Sequence, residues 1–131
     1  MRLALAIIVC IASAAAASAE TPVLSRGWTF DEQGGASLYQ NVCAACHQAD
    51  GRGAVGAASY PALAGDPKLA STDYVLTVVL GGLHAMPAIG AEMSDAQVAD
   101  VVNYARENLG DERDDPATPA RAAAARAALK R

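Results

Sequence analysis

The chain has 131 residues, a formal net charge of −4 and 53% hydrophobic residues, which fits one small domain with short extensions. Its acidic balance argues against a nucleic-acid ligand. With one Phe, one Trp and much alanine and glycine, the domain has a thin core. A domain of this size then often needs a cofactor or another staple at its centre.

The first twenty residues, MRLALAIIVCIASAAAASAE, have the layout of a secretory signal peptide. A positive charge at Arg2 precedes an apolar run, and small residues end at Ala19, so residues 1–19 are predicted to be cleaved. A transmembrane anchor is the alternative, but the run is shorter than the roughly 20 residues that a spanning helix needs. Export to the periplasm would leave Cys43 and Cys46 as the remaining cysteines, in an oxidising compartment.

The first part of the exported chain is predicted to be an arm, a helix and a long loop. Residues 20–33 form the irregular arm. GGASLYQNVCAACHQ has helical spacing and places Cys43, Cys46 and His47 on one side of a helix. The segment ADGRGAVGAASYPALAGDPKL is rich in Gly, Ala and Pro and has no periodicity, so it is predicted to be a loop that wraps something.

Two more helices are predicted further along. STDYVLTVVLGG begins with an N-cap at residues 71–72 and stops at the glycine pair 81–82. SDAQVADVVNYARENLG has a capping box of Ser94 and Gln97, an apolar face, and Gly110 at the expected C-cap. The folded domain is therefore predicted to span residues 34–110.

The composition changes again at residue 111. DERDDPATPA is charged and contains proline, and RAAAARAALKR has high helix propensity but almost no apolar bulk. We interpret residues 111–131 as a flexible, solvated tail. The alternative is a basic docking segment. Its cations would be Arg121, Arg126, Lys130 and Arg131.

Three kinds of site could use Cys43, Cys46 and His47. A dithiol redox site normally lies in a βαβ setting, which this sequence lacks, and a zinc site needs more ligands than His84 alone could add. The third kind is covalent haem attachment, for which C-x-x-C-H is the signature. Both thiols could form thioethers to the porphyrin edge, and the His47 imidazole could bind the iron axially.

A sixth iron ligand could be Met86, Met93 or His84. We favour Met86, because it lies in the loop segment HAMPAIG and Pro87 restricts it to an extended backbone. Met93 is better explained as a staple against the last helix. His84 would give a bis-histidine site. Ligation by histidine and methionine raises the haem potential and leaves no open position, which favours electron transfer.

From Gly35 to Gly110 the sequence resembles the class I c-type cytochromes, small monohaem proteins exported by bacteria. The segments GASLYQNVCAACH, YPALAG and GGLHAMPAIGAEMSDAQVADVVNYAR carry the resemblance. It implies an all-α small cytochrome c fold, with three to five helices wrapped around one covalently attached haem c. It also implies that Met86 is the axial ligand and that the carbonyl of Pro61 accepts a hydrogen bond from the His47 ring.

The resemblance further implies that the first and last helices cross near a glycine and aromatic residues, here Gly35, Tyr39 and Tyr104. It places the exposed haem edge, and hence the docking face for partners, between the C-x-x-C-H turn and the Met86 loop. The small apolar residues of that face are Ala44, Ala45, Ala54, Val55, Ala85 and Ala88.

We therefore predict a periplasmic one-electron carrier, not an enzyme, with a soluble mature form that is a monomer or a subunit of a complex. Its partners would be redox proteins such as a dehydrogenase, an oxidase or a reductase. Residues 20–110 contain ten acidic and four basic residues, so a basic or neutral partner surface is expected.

One alternative is a dedicated cytochrome c subunit bound to a periplasmic dehydrogenase, with residues 111–131 as a tether. The other is a five-coordinate haem enzyme or gas sensor, which requires that Met86 does not bind iron.

Overall fold

The computed structural model describes residues 29–110 and 114–130. Within them, five α-helices and their connecting loops carry the predicted site residues. The predicted signal peptide and most of the arm lie outside the described residues. The described end of the arm is irregular and packs Phe30 against the core. The side-chain amide of Gln97 holds it by donating hydrogen bonds to the carbonyls of Phe30 (2.7 Å) and Glu32 (2.9 Å).

The first helical stretch is continuous but changes its winding. Helix α1 (Gly35–Leu38) passes into a π-helical turn (Tyr39–Cys43) and then into helix α2 (Ala44–His47). Gln48 ends it with φ +66°, a left-handed conformation that breaks a helix. π-turns inside helices occur frequently at functional sites, and this one leads directly into the Cys46 and His47 turn.

Helix α1 crosses the last helix of the domain at Gly35. A Cβ on Gly35 would collide with the carbonyl oxygen of Asp100 and lie 2.6 Å from the Tyr104 Cβ, so only glycine allows this approach. The rings of Tyr39 and Tyr104 lie beside it with centroids 5.3 Å apart. The predicted crossing at Gly35, Tyr39 and Tyr104 is confirmed.

The segment after α2 was predicted to be loop throughout, but it contains short regular elements. Strands β1 (Ala54–Val55) and β2 (Ser59–Tyr60) pair antiparallel, and a 3₁₀ helix (Pro67–Ala70) follows. The strands are two residues long and lack the alternating pattern that identifies a strand in sequence.

Helix α3 (Thr72–Gly81) begins and ends where predicted. The Ser71 hydroxyl accepts a hydrogen bond from the N–H of Tyr74 at the N-cap, and Gly82 ends the helix with φ +75°. At Gly82 a side chain would also be crowded, because a Cβ would lie 2.6 Å from the carbonyl oxygen of Met86.

A 3₁₀ helix (Ile89–Glu92) leads into helix α4 (Asp95–Leu109), which has the predicted capping box of Ser94 and Gln97. Gly110 is the C-cap, but its φ is −108°, so it does not serve a left-handed turn. A Cβ there would lie 2.8 Å from the Leu69 Cβ, so the glycine is needed for space. The buried face of α4 includes Val98, Val101, Val102 and Ala105.

The interpretation of residues 111–131 as a flexible tail is not what the described part shows. Residues 119–129 form helix α5 (Pro119–Leu129), which is capped by Thr118 and packs against α3 and α4. Ala122 is fully buried there. The helix lacks apolar bulk, as the sequence indicated, but arginine side chains supply the contacts. Arg121 bonds to Asp73 (2.6 Å) and Asp115 (2.6 Å), so it is not a free cation for a tether.

The core lies between α1, α3, α4 and α5. Its members include Leu38, Tyr39, Leu76, Leu80, Met93, Val98 and Val102. Among the described residues, no helix is both long enough and apolar enough to cross a membrane. The mostly helical architecture confirms the predicted all-α fold class.

Candidate functional site

The last turn of α2 brings together two thiols and one imidazole. Cys43 closes the π-turn, and Cys46 and His47 follow within the next turn, so the spacing predicted from sequence holds. Both cysteines are free and half-buried, while His47 is only 8% exposed. The helix thus buries the imidazole more deeply than the two cysteines.

The imidazole of His47 is fixed by the predicted partner. Its Nδ1 lies 3.0 Å from the carbonyl oxygen of Pro61. Because a carbonyl can only accept a hydrogen bond, Nδ1 carries the proton and donates it, which leaves Nε2 with its lone pair. A histidine held in this way has one defined nitrogen for a metal ion and a fixed ring orientation.

The loop around β1 and β2 holds Pro61 in position. The N–H of Gly53 donates a hydrogen bond to the carbonyl oxygen of His47 (2.9 Å). Gly53 has φ +68°, and a Cβ there would collide with the carbonyl oxygen of Tyr60 and lie 2.8 Å from that of Pro61. Glycine is therefore required at position 53 for Tyr60 and Pro61 to approach the end of α2 this closely.

Burial raises the pKa of the Cys43 thiol to about 11, and the neighbouring Cys46 contributes to the rise. Redox-active C-x-x-C sites have the opposite property, since a lowered pKa supplies their thiolate. The environment of Cys43 therefore disfavours the dithiol alternative. For the zinc alternative, the described residues contain no group of three or more His, Cys, Asp and Glu side chains placed to hold a metal ion.

Met86 closes a tight turn between α3 and the following 3₁₀ helix. Its N–H donates to the carbonyl of Leu83 (2.9 Å), and the N–H of Leu83 donates to the carbonyl of Met86 (3.0 Å). The Met86 side chain is half-buried. His84, at the tip of this turn, is exposed with φ +52°. Met93 is 4% exposed and belongs to the core, as expected for a packing residue.

The side chains present fit a haem. Two thiols without a disulfide partner lie beside an imidazole whose Nε2 is unengaged, and these are the groups that a c-type haem requires. Exposed apolar residues of the neighbouring segments include Ala45, Val55 and Ala85, and Val55 is 91% exposed.

Sequence reasoning missed two arginines that hold the segments next to this site. Arg106 is fully buried and donates to the carbonyls of Leu69 (2.8 Å), Ala70 (3.3 Å), Asp114 (3.0 Å) and Asp115 (3.0 Å). Arg126 contacts the segment between Met86 and α4. A signal for the helix carrying Arg126 was available, since Thr118 followed by Pro119 is a typical helix start.

Comparisons with known proteins place this arrangement in a wider group. A family model described as "Cytochrome C oxidase, cbb3-type, subunit III" matches residues 30–104. The chain is 40% identical over 92 residues to the gluconate 2-dehydrogenase cytochrome c subunit of Pantoea cypripedii, which covers 61% of this chain and 21% of that protein.

Two further relatives have related names. The alcohol dehydrogenase (quinone) cytochrome c subunit of Gluconacetobacter polyoxogenes is 36% identical over 89 residues, covering 58% of this chain and 19% of that protein. The fructose dehydrogenase cytochrome subunit of Gluconobacter japonicus is 32% identical over 91 residues, covering 58% of this chain and 18% of that protein. The chain thus spans about a fifth of the length of the curated relatives that it matches.

Proposed function

Because the chain belongs to the cytochrome c oxidase cbb3-type subunit III family, and is thus a c-type cytochrome with a covalently bound haem c, we propose that it is a one-electron carrier with histidine–methionine ligation. Cys43 and Cys46 would hold the haem through thioethers, and His47 and Met86 would be the axial ligands. When bound, the haem supplies reversible one-electron chemistry between Fe(II) and Fe(III).

The observation that carries this proposal is the 3.0 Å contact between His47 Nδ1 and the carbonyl oxygen of Pro61. It leaves Nε2 as the one nitrogen of a buried imidazole available to a metal ion, in the residue directly after Cys46. In this proposal Pro61 orients the imidazole, the Met86 turn would present a thioether, and the alanine-rich loops would exclude water. A closed coordination sphere would give no site for a substrate, so we propose that the chain is not itself an enzyme.

Visible spectra of the haem-loaded protein test the ligand set. In the oxidised protein we expect a weak far-red band from the bond between sulfur and iron, which should disappear in Met86→Ala. Met93→Leu is the matched control, because Met93 is a buried core residue and its loss should leave the band in place. Loss of the band in Met93→Leu but not in Met86→Ala would contradict the assignment, as would ready binding of carbon monoxide to the reduced wild type.

We further propose that the electron donor is a dehydrogenase that oxidises an alcohol, a sugar or a sugar acid, with this chain as its cytochrome partner. The support is the names of the three relatives, which are cytochrome subunits of gluconate, alcohol and fructose dehydrogenases. The exposed apolar residues next to the C-x-x-C-H turn, with Val55 among them, would form the docking face, as transient redox interfaces are small. Export to the periplasm, with cleavage after Ala19, is part of the same proposal.

Reduction of the oxidised protein by a periplasmic extract of the producing cell tests the partner. We expect reduction when gluconate, fructose or ethanol is added, and slower reduction when Val55→Asp replaces the wild type. Equal reduction rates with and without all three substrates would contradict the dehydrogenase proposal, while leaving the haem ligand assignment intact.

A further inference from the structure

Helix α5 touches both ends of the segment that carries Met86. At the start of the segment, a Cβ on Gly81 would lie 3.2 Å from the Leu129 side chain, so Leu129 packs directly on the end of α3. At its far end, the Arg126 guanidinium donates to the carbonyls of Gly90 (3.0 Å) and Met93 (2.8 Å). Arg126 and Leu129 are three residues apart in one helix and therefore share a face.

The hydrogen bonds of Arg126 are charge-assisted. Its Nε also donates to the Asp95 carboxylate at 2.9 Å, so a single guanidinium joins the 3₁₀ helix Ile89–Glu92 to the first turn of α4. The Arg126 side chain is 23% exposed, and bonds made by an ionised donor are roughly twice as strong as neutral ones. Three acceptors in different directions require the planar fork of arginine.

The segment between the Leu129 contact at Gly81 and the Arg126 contacts at Gly90 and Met93 is held by short hydrogen bonds and close packing. Met86 is paired with Leu83 in both directions, and the N–H of Ile89 donates to the carbonyl of Pro87 at 2.8 Å. Gly90 is pressed against α3, since a Cβ there would lie 2.9 Å from the carbonyl oxygen of Val79. A displacement of Gly90 would therefore be transmitted through successive tight turns to Met86.

We propose that Arg126, supported by Leu129, is a positioning residue that holds the Met86 sulfur at the haem iron. The inference rests on the proposed ligand role of Met86. A thioether is a soft ligand and binds ferric iron weakly, so its occupancy depends on how well the loop is preorganised. Helix α5 would therefore act on the electron-transfer site through the loop that carries Met86.

The experiment compares four haem-loaded variants by titrating the oxidised form with imidazole, which competes with the sulfur. Arg126→Gln removes the guanidinium and its charge, whereas Arg126→Lys keeps the charge but loses the planar set of donors. Arg121→Gln is the matched control, because Arg121 joins α5 to Asp73 and Asp115 and does not contact the Met86 segment. Leu129→Ala is a fourth variant and tests the contact of α5 with Gly81. The far-red band and the midpoint potential are recorded for all four.

We expect Arg126→Gln to bind imidazole about tenfold more tightly than wild type, with a weaker far-red band and a lower potential. Arg126→Lys and Leu129→Ala should show smaller changes in the same direction, and Arg121→Gln should stay within about twofold of wild type. Equal effects in Arg126→Gln and Arg121→Gln would overturn the inference while leaving Met86 as ligand. Absence of the band from the wild type would overturn the ligand role itself, and the inference with it.

Discussion

The N–H of Gly53 donates a hydrogen bond to the carbonyl oxygen of His47 at 2.9 Å, and the same glycine leaves room for Pro61, whose carbonyl oxygen lies 3.0 Å from the His47 ring. One glycine therefore couples the end of α2 to the residue that orients the imidazole. Its φ of +68° and its lack of a side chain are both required for this contact.

Gly53→Ala should disturb the site and the fold together. A Cβ would meet the carbonyls of Tyr60 and Pro61 in a left-handed backbone position, and we expect destabilisation of roughly 2–4 kcal/mol. The shift of Pro61 should also raise the midpoint potential, because a less basic imidazole stabilises Fe(III) less than Fe(II). Urea unfolding and potentiometry measure the two effects.

Gly56→Ala is the control for this change. Gly56 has open space around it, so its substitution should alter neither quantity. If Gly53→Ala behaves like Gly56→Ala, the coupling of the loop to His47 is wrong.

The crossing of α1 and α4 should depend on Gly35 alone. Gly35→Ala would drive a methyl group into Asp100 and Tyr104, and we expect a loss of about 3 kcal/mol or more in unfolding free energy. Gly34→Ala separates packing from backbone strain, because Gly34 has φ +78° and open space. Because its ψ is 151°, the substitution should cost about 2 kcal/mol, less than Gly35→Ala. A ranking in which Gly34→Ala is the more damaging in thermal unfolding would contradict the crossing.

The buried Arg106 should be needed for docking of the last helix. Arg106→Met leaves the carbonyls of Leu69, Ala70, Asp114 and Asp115 without their donor, at a cost of roughly 3 kcal/mol. We expect faster proteolytic removal of α5 as well as a lower unfolding midpoint. Arg52→Met, at an exposed side chain paired with Asp50, should be neutral in both assays. Unchanged proteolysis in Arg106→Met would show that α5 is held without it.

Tyr39 should make stability fall at alkaline pH. Burial, followed by the nearby Cys43, raises the pKa of the Tyr39 hydroxyl to about 12, against about 10 in an unfolded chain. A raised pKa stabilises the folded state below pH 10, and this contribution is lost as the pH rises toward 12. The hydroxyl also donates to the carbonyl of Gln48 at 2.9 Å.

Tyr39→Phe should therefore be about 1 kcal/mol less stable at pH 7 and lose less stability between pH 10 and 12. Urea unfolding across this range measures the difference, with Tyr60→Phe at an exposed tyrosine as control. A parallel decline in wild type and Tyr39→Phe would contradict the assignment.

Local signals in the sequence were sufficient for much of the fold. Ser71, Ser94 and Gln97 cap helices through contacts three residues away, so their roles can be predicted from spacing. The contact of His47 with Pro61 was expected only from the resemblance, since fourteen residues of loop separate them.

The docking of α5 could not be predicted in this way. Arg126 bonds to residues 31 to 36 positions earlier in the chain, and no local pattern encodes such contacts. The alanine-rich sequence gave no apolar face to indicate burial, because polar side chains hold this helix in place. The β1–β2 pair was missed for the related reason that two-residue strands carry no periodicity.

The most direct test of the account is the intact mass of the purified protein, measured under denaturing conditions after expression with haem-maturation machinery. We predict a chain that retains one haem after unfolding, and that loses it in the Cys43→Ser, Cys46→Ser double variant. A haem-free chain with a disulfide between Cys43 and Cys46, lighter by two hydrogens than the reduced form, would contradict the central claim.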